Sequence, residues 1–266
     1  LQEMRRQHQS GLLLFLGNDE TGMNYADNPY PYRQDSTFLY FFGLDFPGLV
    51  ALMDLDEEKS MVFIKEPTID NIVWRGSLPV KEKCEAAGID ILGYAEDIKS
   101  IIKKAENKGR MVHFLPPYRA EHYMKMFSLT GLPSQAFEDS VSIPFIKAVI
   151  NLRSHKSPEE IMQIEDAVNI SSDMNLAMLS MIHPGMSEME VVSVVTGIAL
   201  RRGRGMAFPV IATVDGQILN NHWHGNVMKE GDLFLLNAGA ENRMHYAGDI
   251  SMTAPVGKHF TDRQRM

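Results

Sequence analysis

With 266 residues, 44% of them hydrophobic and 23% charged, the chain has the length for one large or two modest domains and an ample buried core. A formal net charge of −8, with Lys and Arg in short groups such as Lys103-Lys104 and Arg201-Arg202, excludes a general electrostatic grip on nucleic acid. Cys84 is the single cysteine, which excludes an intrachain disulfide and fits a reducing cytoplasm, and no apolar run approaches the ~18 residues of a membrane span.

The opening stretch LQEMRRQHQSGLLLFLGNDE sets basic residues before Leu12 to Leu16, as a signal peptide would. That apolar core is too short and acidic residues follow at once, so a helix end followed by a strand is expected. Apolar runs bounded by Gly, Asp, Pro or Lys predict strands at Gly11 to Gly17, Phe38 to Phe42, Leu49 to Leu55 and Met61 to Ile64. Helical spacing follows at Pro79 to Ala87 and Glu96 to Asn107, with Gly88 and Gly109 as C-terminal stops. Ile89 to Leu92 and Met111 to Leu115 read as further strands. This alternation predicts an α/β domain over residues 1–150. The 18 methionines are read as core filler.

The segment Ser140 to Ser157 is expected to be the join to a second domain, residues 151–266. Ser157-Pro158-Glu159-Glu160 combines an N-cap Ser, Pro at the first helical position and Glu three residues after the cap. The helix it opens should run to about Ile182 and stop at His183-Pro184-Gly185. Ser187 to Glu190 repeats that logic and opens a helix reaching about Arg202. Strands are predicted at Ala207 to Val214, Leu233 to Ala238 and Tyr246 to Thr253.

Three patches could carry chemistry. On an extended segment Asn220, His222 and His224 share a face, where two His can bind a metal or handle protons, or simply decorate a polar loop. If the chain turns at Asn242-Arg243-Met244, Glu241 faces His245 and Asn237 faces Asp249. Facing oxygen side chains at strand ends suit hard divalent cations, although a hydrogen-bonded Asn–Asp pair needs none. In YPYRQDSTFLYFFGLDFPG, Arg33 and Asp35 precede an aromatic strand and suggest a charge pair anchoring a loop.

YPYRQDSTFLYFFGL resembles the signature of the aminopeptidase P N-terminal domain. LRSHKSPEEI resembles the start of the adjoining catalytic domain, and AFPVIATVDGQIL, GDLFLLNAGAE and YAGDISMT resemble its first metal-binding half. The resemblance is to the Xaa-Pro aminopeptidase family, which includes aminopeptidase P and Xaa-Pro dipeptidase. It implies an α/β N-terminal domain followed by an α+β pita-bread domain, of which this chain holds the first part. In such enzymes two metal ions, usually manganese, activate a water that attacks the bond before proline. The resemblance makes Asp249 a metal ligand and puts Asn237 at a family Asp position. It puts Asn220 at a family His position, with His222 and His224 beside it, and Met252 where Arg is expected. One His and two Glu ligands are expected beyond Met266. Proline-containing peptides and a homo-oligomer are the implied partners. Two alternatives accompany this reading: a non-catalytic pseudoenzyme that binds peptides or a protein partner, and a metal-free creatinase-like hydrolase.

Overall fold

The computed structural model describes residues 2–7, 9–257 and 259–265, so Leu1 and Met266, the outer limits of the two expected domains, lie outside the described residues. Two compact units divide the chain, Leu1–His155 and Lys156–Met266.

The first unit is built on a five-stranded mixed sheet of order β4-β3-β2-β1-β5. Its strands are β1 (Leu12–Leu16), β2 (Val50–Asp54), β3 (Lys59–Ile64), β4 (Ile91–Tyr94) and β5 (Val112–Phe114). β1, β2 and β3 are antiparallel neighbours, while β4 and β5 run parallel to β3 and β1. The run LLLFL in β1 is apolar throughout because both of its faces are covered. Leu13 and Phe15 pack in one core with α1 (Gln2–Arg6), α2 (Ser36–Phe42), α4 (Val80–Ala86) and α8 (Ile143–Ser154). Leu12 and Leu14 face the other core, with α5 (Ala95–Asn107), α6 (Ala120–Thr130) and α7 (Phe137–Ser140). One further helix, α3 (Ile69–Arg75), is exposed along its length.

One expectation in this unit is corrected. Phe38 to Phe42, expected as a strand, is the body of helix α2. Aromatic content favours a strand, but signals at both ends and the i,i+4 spacing decide otherwise. Asp35 is the N-cap and accepts from the N–H of Phe38 at 2.8 Å, while Gly43 closes the helix in the left-handed conformation with φ 64°. Phe38 and Phe42 are thereby buried together, with Phe42 edge-on to Phe15 at 5.1 Å. The expected join at 140–157 contains helix α8, capped by Ser142 and packed through Phe145, Ala148 and Val149. Phe145 also meets Phe15 edge-on, at 5.0 Å. Each such aromatic pair contributes about 0.5–1.5 kcal/mol beyond the area it buries.

In the second unit, α9 (Pro158–Met181) and α10 (Glu188–Arg202) cover one face of an antiparallel sheet of order β10-β8-β7. Its strands are β7 (Ile211–Thr213), β8 (Leu233–Ala238) and β10 (Ile250–Pro255). A two-stranded pair, β6 (Gly205–Met206) with β9 (Ala240–Glu241), and the short helix α11 (Asp262–Arg265) complete it. Both expected capping boxes are formed, with Ser157 accepting from the N–H of Glu160 and Ser187 from that of Glu190. The core brings together Ile170, Met174 and Met178 of α9, Val191, Val195 and Ala199 of α10, and Phe234 and Leu236 of β8. Met174 and Met178 thus act as filler, whereas Met23, Met111 and Met162 are exposed.

The expected strand from Ala207 to Val214 is divided. β6 pairs with β9 and β7 with β8, and Pro209, which has no N–H to give a ladder, lies between them. The strand expected from Tyr246 begins at Ile250. Before it, Asn242 holds the chain in a turn, its Oδ1 accepting from the N–H groups of Met244 and Tyr246, both at 3.0 Å. Among the described residues no helix is long and apolar enough to cross a membrane.

Candidate functional site

Alternation along β8 sends Phe234, Leu236 and Ala238 into the core and leaves Leu233, Leu235 and Asn237 on the opposite face. There the Asn237 side-chain amide donates to Asp249 Oδ1 at 2.7 Å and to Ser251 Oγ at 2.8 Å. The strand register sets Asn237 opposite Ser251, and Glu241 opposite Ala247. The expected partners, Asp249 and His245, are each displaced by two residues, because the turn built on Asn242 is longer than three residues. A slip of two keeps every side chain on its face, so Asn237 and Asp249 still meet, diagonally. Glu241 and His245 also stay close, with Nδ1 3.4 Å from Oε2. Met252, where the resemblance called for Arg, packs against the core on the other face.

The histidines lie elsewhere. His222 Nδ1 is 3.3 Å from the carbonyl of Val210, and His224 Nδ1 is 3.2 Å from that of Ala212. A carbonyl can only accept, so each ring carries its proton on Nδ1 and leaves Nε2 as the basic nitrogen when neutral. The alternation 222/224 against 210/212 shows that the segment is extended, as expected. It runs beside β7, the strand at that edge of the sheet, whose neighbourhood supplies both carbonyls. Asn220 is exposed, whereas Asn221 is buried and donates to Thr213 Oγ1 at 3.1 Å.

Glu188 fixes both ends of this loop. Its carboxylate is fully buried and accepts from the N–H of Val214 at 2.9 Å, from the N–H of Asn226 at 3.1 Å and from the Asn226 side chain at 3.0 Å. Sequence reasoning used Ser187 and Glu190 as a helix start and passed over the carboxylate between them. Ser251 was likewise not expected to join Asn237. The available signal was its position within the YAGDISMT match, two residues after Asp249.

Divalent cations ask for several oxygen or nitrogen donors and for compensating negative charge. The Asn237 face offers one carboxylate, one neutral amide and one hydroxyl, and the amide turns its NH2 toward both the carboxylate of Asp249 and the hydroxyl of Ser251. Among the described residues no group of three or more His, Cys, Asp or Glu side chains could hold a metal ion. The residues present therefore do not make a two-metal centre by themselves.

Two family models match the chain in order: "Aminopeptidase P, N-terminal domain" over residues 1–113 and "Metallopeptidase family M24" over residues 162–266. The first unit belongs to the aminopeptidase P N-terminal family and the second to metallopeptidase family M24. Among curated relatives, the Xaa-Pro aminopeptidase of Escherichia coli is 28% identical over 270 residues, covering 96% of this chain and 60% of the relative. A probable Xaa-Pro aminopeptidase of Chaetomium globosum is 27% identical over 263 residues, covering 96% of this chain and 42% of the relative. The chain thus spans about half the length of these relatives. A solved variant of Escherichia coli aminopeptidase P matches 99% of this chain and 64% of its own, at 26% identity and a TM-score of 0.82. An α/β N-terminal domain followed by part of an α+β pita-bread domain is accordingly the fold of this chain. Membership of M24 implies divalent metal cofactors for the family.

Proposed function

We propose that this chain carries part of the peptide-binding face of an Xaa-Pro peptidase and does not hydrolyse Xaa-Pro peptides unaided. The observation that carries the reading is the Asn237–Asp249 hydrogen bond on the exposed face of the β10-β8-β7 sheet. Asp249 supplies the one carboxylate of that face, and Asn237 occupies the family position of a second with a neutral amide. The substrates are peptides with proline in second position, the class named for the relatives. The cofactor of the complete centre is a pair of divalent ions, manganese by the family resemblance. Asp249 is the residue of this chain that would ligate them, and His222 and His224 are proton-handling groups along the neighbouring edge.

The purified chain should therefore release no N-terminal residue from an Xaa-Pro peptide in manganese, yet bind the peptide in calorimetry. Chelator-sensitive release would overturn the claim of inactivity, and absence of peptide binding would overturn the claim of a peptide-binding face. Self-association is also expected, because Leu233 and Leu235 are only half-buried on the face that carries Asn237. A strictly monomeric species in analytical ultracentrifugation would contradict it.

The same hydrogen bond favours a second reading, a pseudoenzyme that binds proline-containing peptides or a protein partner. A carboxylate already satisfied by Asn237 needs no cation. Peptide affinity unchanged by chelator would favour this reading, and loss of affinity on chelation would exclude it. In both readings the single buried cysteine suits a cytoplasmic protein.

A further inference from the structure

Beyond the carboxyl ends of the parallel neighbours β1 and β5, the first unit holds a cavity of about 220 Å³. Helices from opposite faces of the sheet close it, with α2 and α8 on one side and α6 on the other. In open α/β sheets the crevice at the carboxyl ends of the strands, where helices part to the two faces, is where ligands settle. Phe114, Met126 and Ile146 give it apolar walls.

Four polar side chains interrupt that lining: Thr37, whose Oγ1 accepts from Arg153 Nη1 at 3.2 Å, and three that can meet one ligand, Asp35, Tyr118 and His122. The Tyr118 hydroxyl donates to Asp35 Oδ2 at 2.9 Å, and the rings of Tyr118 and His122 meet edge-on at 5.3 Å. His122 is only 3% exposed, and its Nε2 has no hydrogen-bond partner. A buried ring nitrogen left unpaired is a standing cost that a ligand can remove. Burial, helped by the nearby Lys125 charge, holds this imidazole below the usual histidine range and so keeps it neutral. All three groups can accept. Asp35 is a carboxylate, Tyr118 directs its hydroxyl hydrogen at Asp35 and keeps an oxygen that accepts, shared with the Asn18 side chain, and a neutral imidazole accepts at one nitrogen. Three acceptors with one negative charge, set against an apolar wall, match the three N–H donors and single positive charge of an ammonium.

We propose that this cavity binds a primary amine with a compact apolar body, its ammonium held by Asp35, Tyr118 and His122 and its body against Phe114, Met126 and Ile146. An apolar cavity of about 150 Å³ accommodates benzene, so a benzyl-sized body fits. Tyr118, which is 64% exposed, stands at the rim where a ligand enters. The lining belongs entirely to the first unit, so the proposal is independent of the chemistry at Asn237.

The test is a calorimetric titration of the chain with benzylamine and with benzyl alcohol, together with ¹⁵N resonances of the histidine rings. Benzylamine should bind at least about tenfold more tightly than the alcohol, because its contact with Asp35 is charge-assisted. It should also move the His122 ring resonances. Asp35→Asn keeps a good helix cap while removing the charge, and should bring the two affinities together. Ile150 lines the cavity and is 56% exposed, so Ile150→Trp can obstruct the site without disturbing the core, and should weaken benzylamine at least about tenfold. Equal binding of amine and alcohol to the unaltered chain, unmoved His122 resonances, or undiminished binding in Ile150→Trp would each overturn the proposal.

Discussion

The side-chain amide of Asn237 donates to the carboxylate of Asp249 across 2.7 Å, joining β8 to the residue just before β10. This contact makes the sheet face self-sufficient without a cation, and it gives a direct handle on metal dependence. In Asn237→Asp the donor becomes a second carboxylate beside Asp249. Without metal the pair repels and the hydrogen bond is lost, so the variant should be about 1 kcal/mol less stable than the parent chain. With millimolar Mn²⁺ two carboxylates and Ser251 offer a hard-cation site, and binding to the folded state raises stability by mass action. Thermal unfolding in chelator and in Mn²⁺ should therefore show a metal-dependent rise for Asn237→Asp and little change for the parent. Equal responses would show that the position does not control cation binding.

Glu188 is a buried carboxylate whose acceptors are all spent on the loop that carries Asn220, His222 and His224. Removing it orphans the backbone N–H groups of Val214 and Asn226, while the Asn226 side chain keeps its bond to Asp215 Oδ2 at 3.0 Å. Glu188→Ala should cost about 3 kcal/mol in denaturant unfolding, at the upper end for hydrogen bonds to a charged group. Glu188→Gln retains one acceptor and should cost less. Hydrogen exchange at Val214 and Asn226 should accelerate in the Ala variant well beyond the general loss of stability. If the loop stays as protected as the helices, Glu188 does not hold it.

What was legible in the sequence divides along physical lines. Ser157/Glu160 and Ser187/Glu190 were readable because a capping box is a local device, decided by four residues. Leu233–Ala238 was readable because its limits are set by its own apolar run. Phe38 to Phe42 misled because aromatic content speaks for strand, while the deciding signals, Asp35 and Gly43, sit outside the run. The Asn237–Asp249 meeting survived a register error because side chains repeat every two residues and the error was two. That error lay in the Asn242 side chain, which lengthens the turn by accepting two N–H groups, a contact that no alternation of apolar residues records. Glu188 was hidden because its partners are 26 and 38 residues away.

Glu160 does more than cap α9. Its Oε2 accepts from the N–H of Ser157 at 2.8 Å, and its Oε1 accepts from the Tyr246 hydroxyl at 2.9 Å, linking the helix start to the turn before Asp249. Ser157→Ala should cost about 1 kcal/mol, the usual value of an N-cap. Tyr246→Phe should cost a similar amount while leaving the cap intact. Because both contacts run through Glu160, the double variant should lose less than the two singles combined if removing one loosens the other. Strict additivity in urea unfolding would show that cap and turn are independent.

The first unit should lose stability in mild acid through His122. Burial is the main cause of its lowered affinity for a proton, with Lys125 and Arg119 acting in the same direction and Asp35 and Glu121 opposing them. The unfolded chain binds that proton near the ordinary histidine value of 6.5, and the folded chain only at lower pH. Between those two values the unfolded state holds more protons, so stability rises with pH across the window and falls as pH drops below about 6.5. Asp54 works in a separate, more acid window. Burial would raise its pKa, but hydrogen bonds from Arg110 and from the N–H groups of Glu57 and Asp56 outweigh this and lower it, so its contribution is lost only below the ordinary value of 3.8. Urea unfolding of the first unit at about pH 7 and about pH 5 should thus show a loss that Asp54→Asn retains and His122→Gln reduces. The same loss in His122→Gln would assign the acid sensitivity to another group.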